Sequence, residues 1–156
     1  MKTTVVLVHG AWHGAWCFDR VIPLLEEAGV PALAVDLPGH GGDEGPFTDL
    51  HGDAAYVWAT LDGIDGEVVL LGHSYSGAVI TEAGVHPSVR HPVYLCAMAL
   101  DLGESCQTAV VENMAALSEM GDRASSTVSL WMGEALQHWI QYPQRHASIT
   151  NVMSKT

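Results

Sequence analysis

The chain has 156 residues, enough for one domain and too few for two. Apolar residues make up 48% and charged residues 15%, which is the balance of a globular chain and not of a disordered one. A formal net charge of −12 argues against nucleic acid, whose phosphates need Lys and Arg, and against anionic membrane surfaces. Small uncharged ligands stay open.

The N-terminus carries one lysine and then a short apolar run, Val5 to Val8. The run is too short for a signal h-region and lacks a small-residue cleavage site, so it reads as a strand. Four such runs are expected strands: Thr4–Val8, Ala32–Val35, Glu67–Leu71 and Pro92–Ala99. Their valines and leucines are continuous, the pattern of strands buried on both faces of a parallel sheet. Between them, Phe18–Ala28 places Val21, Leu24, Leu25 and Ala28 on one helical face, with Gly29 as a C-terminal stop. Asp53–Leu61 is a second helix with Asp53 as its N-cap, and Tyr75–Val85 is a third. Strand and helix alternating in this way predict an α/β fold with right-handed crossovers. Cys106–Met120 and Leu130–Ile140 also carry helical spacing, the latter with Trp131, Ala135 and Trp139 on one stripe that reads as core packing.

No stretch approaches 18 apolar residues, so no membrane span is expected. Cys17, Cys96 and Cys106 cannot all pair with one another and show no CxxC spacing. Reduced thiols in a cytoplasmic protein are the simplest expectation. Nine histidines raise the question of metal, but without an H-E-x-x-H or comparable cluster neither metal nor cofactor is expected.

The charge balance breaks once. Residues 1–122 hold 17 of the 18 acids and three of the six bases, whereas residues 123–156 hold one acid and three bases. So abrupt a change of sign sets the tail apart as a different kind of sequence.

Chemistry concentrates in two motifs. In Val68–Gly77 (VVLLGHSYSG) an apolar strand runs into Gly72, then Ser74, then a helix of small residues. This is the pattern of a nucleophile elbow, in which a strained turn lifts a serine Oγ above the sheet. Strand and helix close in on the serine, so the residues two before and two after it must be small. Gly72 meets that need. Ser76 stands where glycine is usual, and its hydroxymethyl group is expected to press on the strand. The plain alternative for Ser74 is a helix N-cap.

The second motif, Leu7–Trp16 (LVHGAWHGAW), begins where the first strand ends. Acyl transfer needs donors already aimed at the oxygen that becomes negative. The N–H groups of Ala11 and Tyr75 are the candidate oxyanion hole, and Gly10, Trp12 and His13 are candidates for the substrate site. His9 is expected to hydrogen-bond within its loop, and Asp36 to hold the Pro38-Gly39 turn through backbone N–H groups.

With these residues in hand, the chain resembles the α/β-hydrolase superfamily. It is most similar to the small branch of plant methyl-ester esterases and hydroxynitrile lyases with their bacterial relatives. Val8–Trp16, Ala34–Gly41 (AVDLPGHG), Gly72-His73-Ser74, and Tyr94-Leu95 leading to Leu100–Ser105 carry the likeness, over about residues 3–120. The resemblance implies a partial α/β-hydrolase fold. Its parallel sheet would have about four strands, the family's third to sixth, in order 4-3-5-6 with flanking helices. Residues 1–104 would be the front half of the core. Residues 105–156 would be a helical, cap-like segment, with the origin of the residues beyond 122 left open.

The resemblance also implies a general base, a histidine after the last strand, and an acid after the strand before it. Neither is matched here. His86, His91, His138 and His146 follow no strand that could be the last, and Asp101 lies at the cap entrance. The chain therefore looks truncated, or shifted out of frame near Asp122.

The leading expectation is a serine hydrolase of small carboxylic esters, impaired by the missing histidine and aspartate. The alternative is a non-catalytic remnant or binding protein, with self-association through an uncovered sheet edge. A hydroxynitrile lyase ranks below both, because that chemistry uses a lysine near the site and only Lys2 and Lys155 are present.

Overall fold

A computed structural model describes residues 2–101, 103–106, 108 and 109. Met1–Leu102 form one compact unit, and the residues from Gly103 onward belong to a second. The first unit holds strands β1 (Thr3–Val8), β2 (Ala32–Val35), β3 (Glu67–His73) and β4 (Val89–Leu95). They form one sheet in the order β2-β1-β3-β4, with every pair parallel. This is the expected order in this chain's own strand numbers. Helices α1 (Ile22–Glu27), α2 (Leu50–Asp62) and α3 (Ser76–Ala83) make the connections, after a 3-10 turn over Ala15–Phe18.

The core lies where one face of β1 and β3 meets α2 and α3. Val6, Val8, Val68 and Leu70 pack with Val57, Leu61, Val79 and Ile80, all at or near zero exposure. Alternate side chains of a strand point to opposite faces, and β3 alternates buried and half-buried along its length. Burial on both faces therefore holds for β1 and not for every strand. β4 is exposed over most of its length, including Val93, Tyr94 and Leu95. Among the described residues no strand pairs with its outer side. Pro92 sits in this strand, and an edge is where a sheet tolerates a residue without an N–H.

Three elements depart from their expected bounds by three residues or more. The expected helix Phe18–Ala28 begins only at Ile22. Pro23 falls in its first turn, where the missing N–H costs nothing; further in, its ring would clash with the preceding turn. Its end is as expected. Gly29 takes φ +77°, its N–H donates to the Glu26 carbonyl, and Val30 N–H donates to that of Leu25. α2 starts three residues early, at Leu50. Its N-cap is Asp49, whose Oδ1 accepts from Gly52 N–H at 2.8 Å, and Asp53 lies inside the helix. β4 begins three residues early and stops at Leu95, because Cys96 turns the chain with φ +43°.

In the second unit Ser105 and Thr108 exchange side-chain to backbone hydrogen bonds, and Ala109 N–H reaches the Ser105 carbonyl. A helix thus starts at Cys106, as expected. The rest of that helix, and Leu130–Ile140, lie outside the described residues. Among the described residues no helix is long and apolar enough to cross a membrane.

Leu70 is fully buried in a central strand, whereas Leu24 on α1 is 65% exposed. Leu70→Ala is expected to cost about 2–5 kcal/mol of unfolding free energy, and Leu24→Ala no more than about 0.5. Urea unfolding of the two variants beside the parent measures both.

Candidate active site

The candidate site sits at the C-terminal ends of β1 and β3, which run side by side in register from Thr3↔Glu67 to Val8↔Gly72. Past β3 the backbone turns sharply at Ser74, which takes φ +56°, a left-handed conformation rare for a residue with a side chain. Three hydrogen bonds hold the turn. Ser74 N–H donates to Leu95 O at 3.4 Å, and Ser74 O accepts from Gly77 N–H at 3.1 Å and Met98 N–H at 2.9 Å. An ordinary N-cap would instead sit in extended backbone and receive an N–H at its side chain. Ser74 does neither, and among the described residues its hydroxyl has no hydrogen-bond partner.

Two glycines make the approach possible. A Cβ on Gly72 would lie 2.5 Å from the Ser76 carbonyl oxygen, so β3 and α3 meet backbone to backbone there. A Cβ on Gly10 would lie 2.9 Å from Ser74 Cβ and 3.1 Å from His73 Nδ1. The two motifs, more than sixty residues apart in sequence, thus touch at Gly10 and Ser74. Ser76, expected to press on the strand, is accommodated: it is fully buried and its hydroxyl donates to the His9 carbonyl. The hydroxyl that replaces glycine therefore ties the elbow to the β1 loop.

His9 is fully buried and uses both ring nitrogens. Nε2 accepts from Leu37 N–H at 3.1 Å, which leaves the proton on Nδ1, 2.8 Å from the Gly10 carbonyl. It bonds within its own loop, as expected, and also across to the loop after β2. Burial holds its pKa down at about 4. Asp36 does not hold the Pro38-Gly39 turn. Its carboxylate accepts from Ala15 N–H at 2.5 Å and Gly42 N–H at 3.0 Å, joining the loops after β1 and β2. Asp43 Oδ1 takes Gly39 N–H at 3.0 Å instead, and Gly45 N–H at 2.7 Å, and these bonds hold its pKa down.

The Gly10–Gly14 loop lies over the elbow. Trp12 has φ +67° and is 40% exposed. His13 is half-buried, with Nδ1 3.0 Å from the Ala11 carbonyl and its ring between Trp16 (5.6 Å) and His73 (5.9 Å). Burial, and then the nearby His13, push the His73 pKa down. Ala11 N–H has no acceptor among the described residues. Tyr75, next to Ser74, packs its ring against the core and donates its hydroxyl to Asp53 Oδ2 at 2.8 Å.

Asp53 is the residue that sequence reasoning misplaced: it is 2% exposed and a partner of this turn, not a cap. The signal was Thr48-Asp49 just upstream, which offers a better cap and frees Asp53 for the interior.

The other candidates stand apart from this arrangement. His86 is occupied by Asp62 Oδ1 (3.1 Å), Ser88 Oγ (2.7 Å) and a T-shaped ring contact with Trp58. His91 and Asp101 are exposed. His138 and His146 lie outside the described residues. Among the described residues no group of three metal-ligating side chains comes together.

The model of the alpha/beta hydrolase family matches residues 5–153. The chain belongs to this family. Over 110 residues it is 38% identical to a carbendazim hydrolyzing esterase of Nocardioides sp. (strain SG-4G), covering 64% of this chain and 44% of that protein. It is 40% identical over 88 residues to methylesterase 8 of Arabidopsis thaliana, covering 53% and 32%. Among solved structures, a pyrethroid hydrolase from Sphingobium faniae JZ-2 superposes with TM-score 0.60 at 35% identity, covering 67% of this chain and 44% of that one. Plant methylesterases and bacterial esterases are thus its relatives, and it spans less than half of the length of each of these three.

Because folding holds the His9 pKa at about 4 against an ordinary 6.5, the native state binds fewer protons than the unfolded chain between those values. Stability is therefore full above pH 6.5 and falls as the pH drops towards 4, by about 3 kcal/mol from this group. Urea unfolding at pH 7, 6, 5 and 4 should show that loss in the parent. A shallower dependence is expected in His9→Gln, from a lower starting stability.

Proposed function

We propose that this chain carries the nucleophile and oxyanion-binding half of a serine esterase acting on small carboxylic esters. Ser74 Oγ would attack the ester carbonyl carbon. The N–H groups of Ala11 and Tyr75 would hold the oxygen that becomes negative. Collapse of the tetrahedral intermediate would expel the alcohol and leave an acyl-serine, which water then cleaves to the acid and free Ser74. Gly10, Trp12 and His13 would border the ester.

The observation that carries this reading is the left-handed backbone of Ser74 with Gly10 pressed against it. Strain of this kind costs of order 1–3 kcal/mol and persists only where its surroundings enforce it. The esterase relatives support the same chemistry. The proton on Ser74 needs a base, which this reading places outside the described residues. Without one the hydroxyl is a weak nucleophile, and loss of a triad member lowers rates by roughly 10⁴–10⁶.

Intact-mass analysis after fluorophosphonate treatment of the 156-residue chain and of Ser74→Ala tests the reading. Labelling of the parent alone, slowed by the missing base and complete only on long incubation, is the expected result. A folded parent that takes up no label would overturn it in favour of a non-catalytic protein.

A further inference from the structure

Tyr75 connects the elbow to a buried carboxylate that the reaction itself does not use. Its backbone follows Ser74 directly, and its ring packs against the core formed by β1, β3, α2 and α3. At the far end of the ring the hydroxyl donates to Asp53 Oδ2 at 2.8 Å. The second oxygen, Oδ1, accepts from Thr48 Oγ1 at 2.5 Å. Asp53 is 2% exposed and sits in the first turn of α2, where burial pushes its carboxyl pKa up and the hydrogen bonds from Thr48 and Tyr75 oppose that rise. Both its oxygens are thus engaged, and the carboxylate is anchored to a helix that itself lies in the core.

We infer that Asp53 is a positioning residue: through the Tyr75 hydroxyl it fixes the orientation of the Ser74–Tyr75 peptide, and with it the N–H aimed at the oxyanion. The inference rests on the esterase reading above for what that N–H does, and on geometry alone for what holds it. A tyrosine is a rigid strut with only two side-chain torsions. Pinned at the hydroxyl by Asp53 and at Cα by the strained turn, it leaves the peptide between residues 74 and 75 little freedom to rotate. The turn needs such support, because Ser74 sits in a left-handed conformation that a free chain would abandon. Oxyanion donors act by being oriented before the reaction, so a peptide free to swing by a few tens of degrees loses much of its effect.

Asp53 touches no reacting atom in this scheme. A general-acid role is not required of it, and a helix cap is already supplied by Asp49. What remains is a carboxylate whose two partners are the hydroxyl of the tyrosine that follows the nucleophile and the threonine that precedes α2.

Tyr75→Phe and Asp53→Asn, singly and together, test this, with Val57→Ala in the core face of α2 as a control of lowered stability. Two readouts are taken on the 156-residue chain: the second-order rate of fluorophosphonate labelling, and the backbone 15N order parameter of residue 75. Each single variant is expected to label ten- to a hundredfold more slowly, and the double variant no more slowly than the worse single one. Residues acting through one link do not add, whereas independent structural losses would. The order parameter at residue 75 should fall from a rigid value near about 0.85 in both single variants and stay there in Val57→Ala. Tyr75→Phe keeps the ring and every charge, so it decides the matter if Asp53→Asn does not fold. Parental labelling together with an unchanged order parameter in Tyr75→Phe would overturn the inference. If the parent itself takes no label, the esterase reading fails, and the order parameter still decides whether Asp53 holds the peptide.

Discussion

The structure depends on one close approach of backbone to backbone. Where β3 turns into α3, no side chain fits between strand and helix at Gly72, and none fits between Gly10 and Ser74. With the side chains gone, main-chain groups of three segments come within reach of one another. The β1 loop, the elbow and the residues after β4 are then joined by hydrogen bonds that a looser packing could not form. Ser76 shows how tight the fit is. Its hydroxyl enters space that glycine would leave empty and is accepted because the His9 carbonyl accepts its hydrogen bond. A buried hydroxyl without that partner would cost about 1–3 kcal/mol.

Around this contact the polar groups form a hydrogen-bonded frame. His9 donates from one nitrogen and accepts at the other, which requires the neutral ring. Asp36 spans the loops after β1 and β2, and Asp53 ties α2 to the elbow. Each carboxylate joins elements distant in sequence, so they serve the placement of the loops more than the stability of any single one.

Much of this was legible in the sequence, because the strands are short apolar runs and the elbow places Gly72, Ser74 and small residues at fixed spacing. The order of the sheet followed from the family resemblance. What was not legible depends on contacts between distant residues. Asp53 and Asp49 are both acids near a helix start, and only the position of Tyr75 decides which of them turns inward. Asp43 takes the role expected of Asp36, because which loop lies within reach of a carboxylate is a tertiary matter. The early end of β4 turns on the positive φ of Cys96, which no propensity would assign to cysteine.

The Met98 N–H that grips the Ser74 carbonyl has a bearing on the order of assembly. During synthesis the elbow emerges with β3 well before residue 98 does, so it leaves the ribosome without one of its clamps. β4 must pair with β3, and the chain must reverse after Cys96, before the serine can be locked in its left-handed turn. Closure of the site is therefore a late event in the folding of this unit, and a nascent chain halted anywhere before Met98 would present the sheet without a finished elbow.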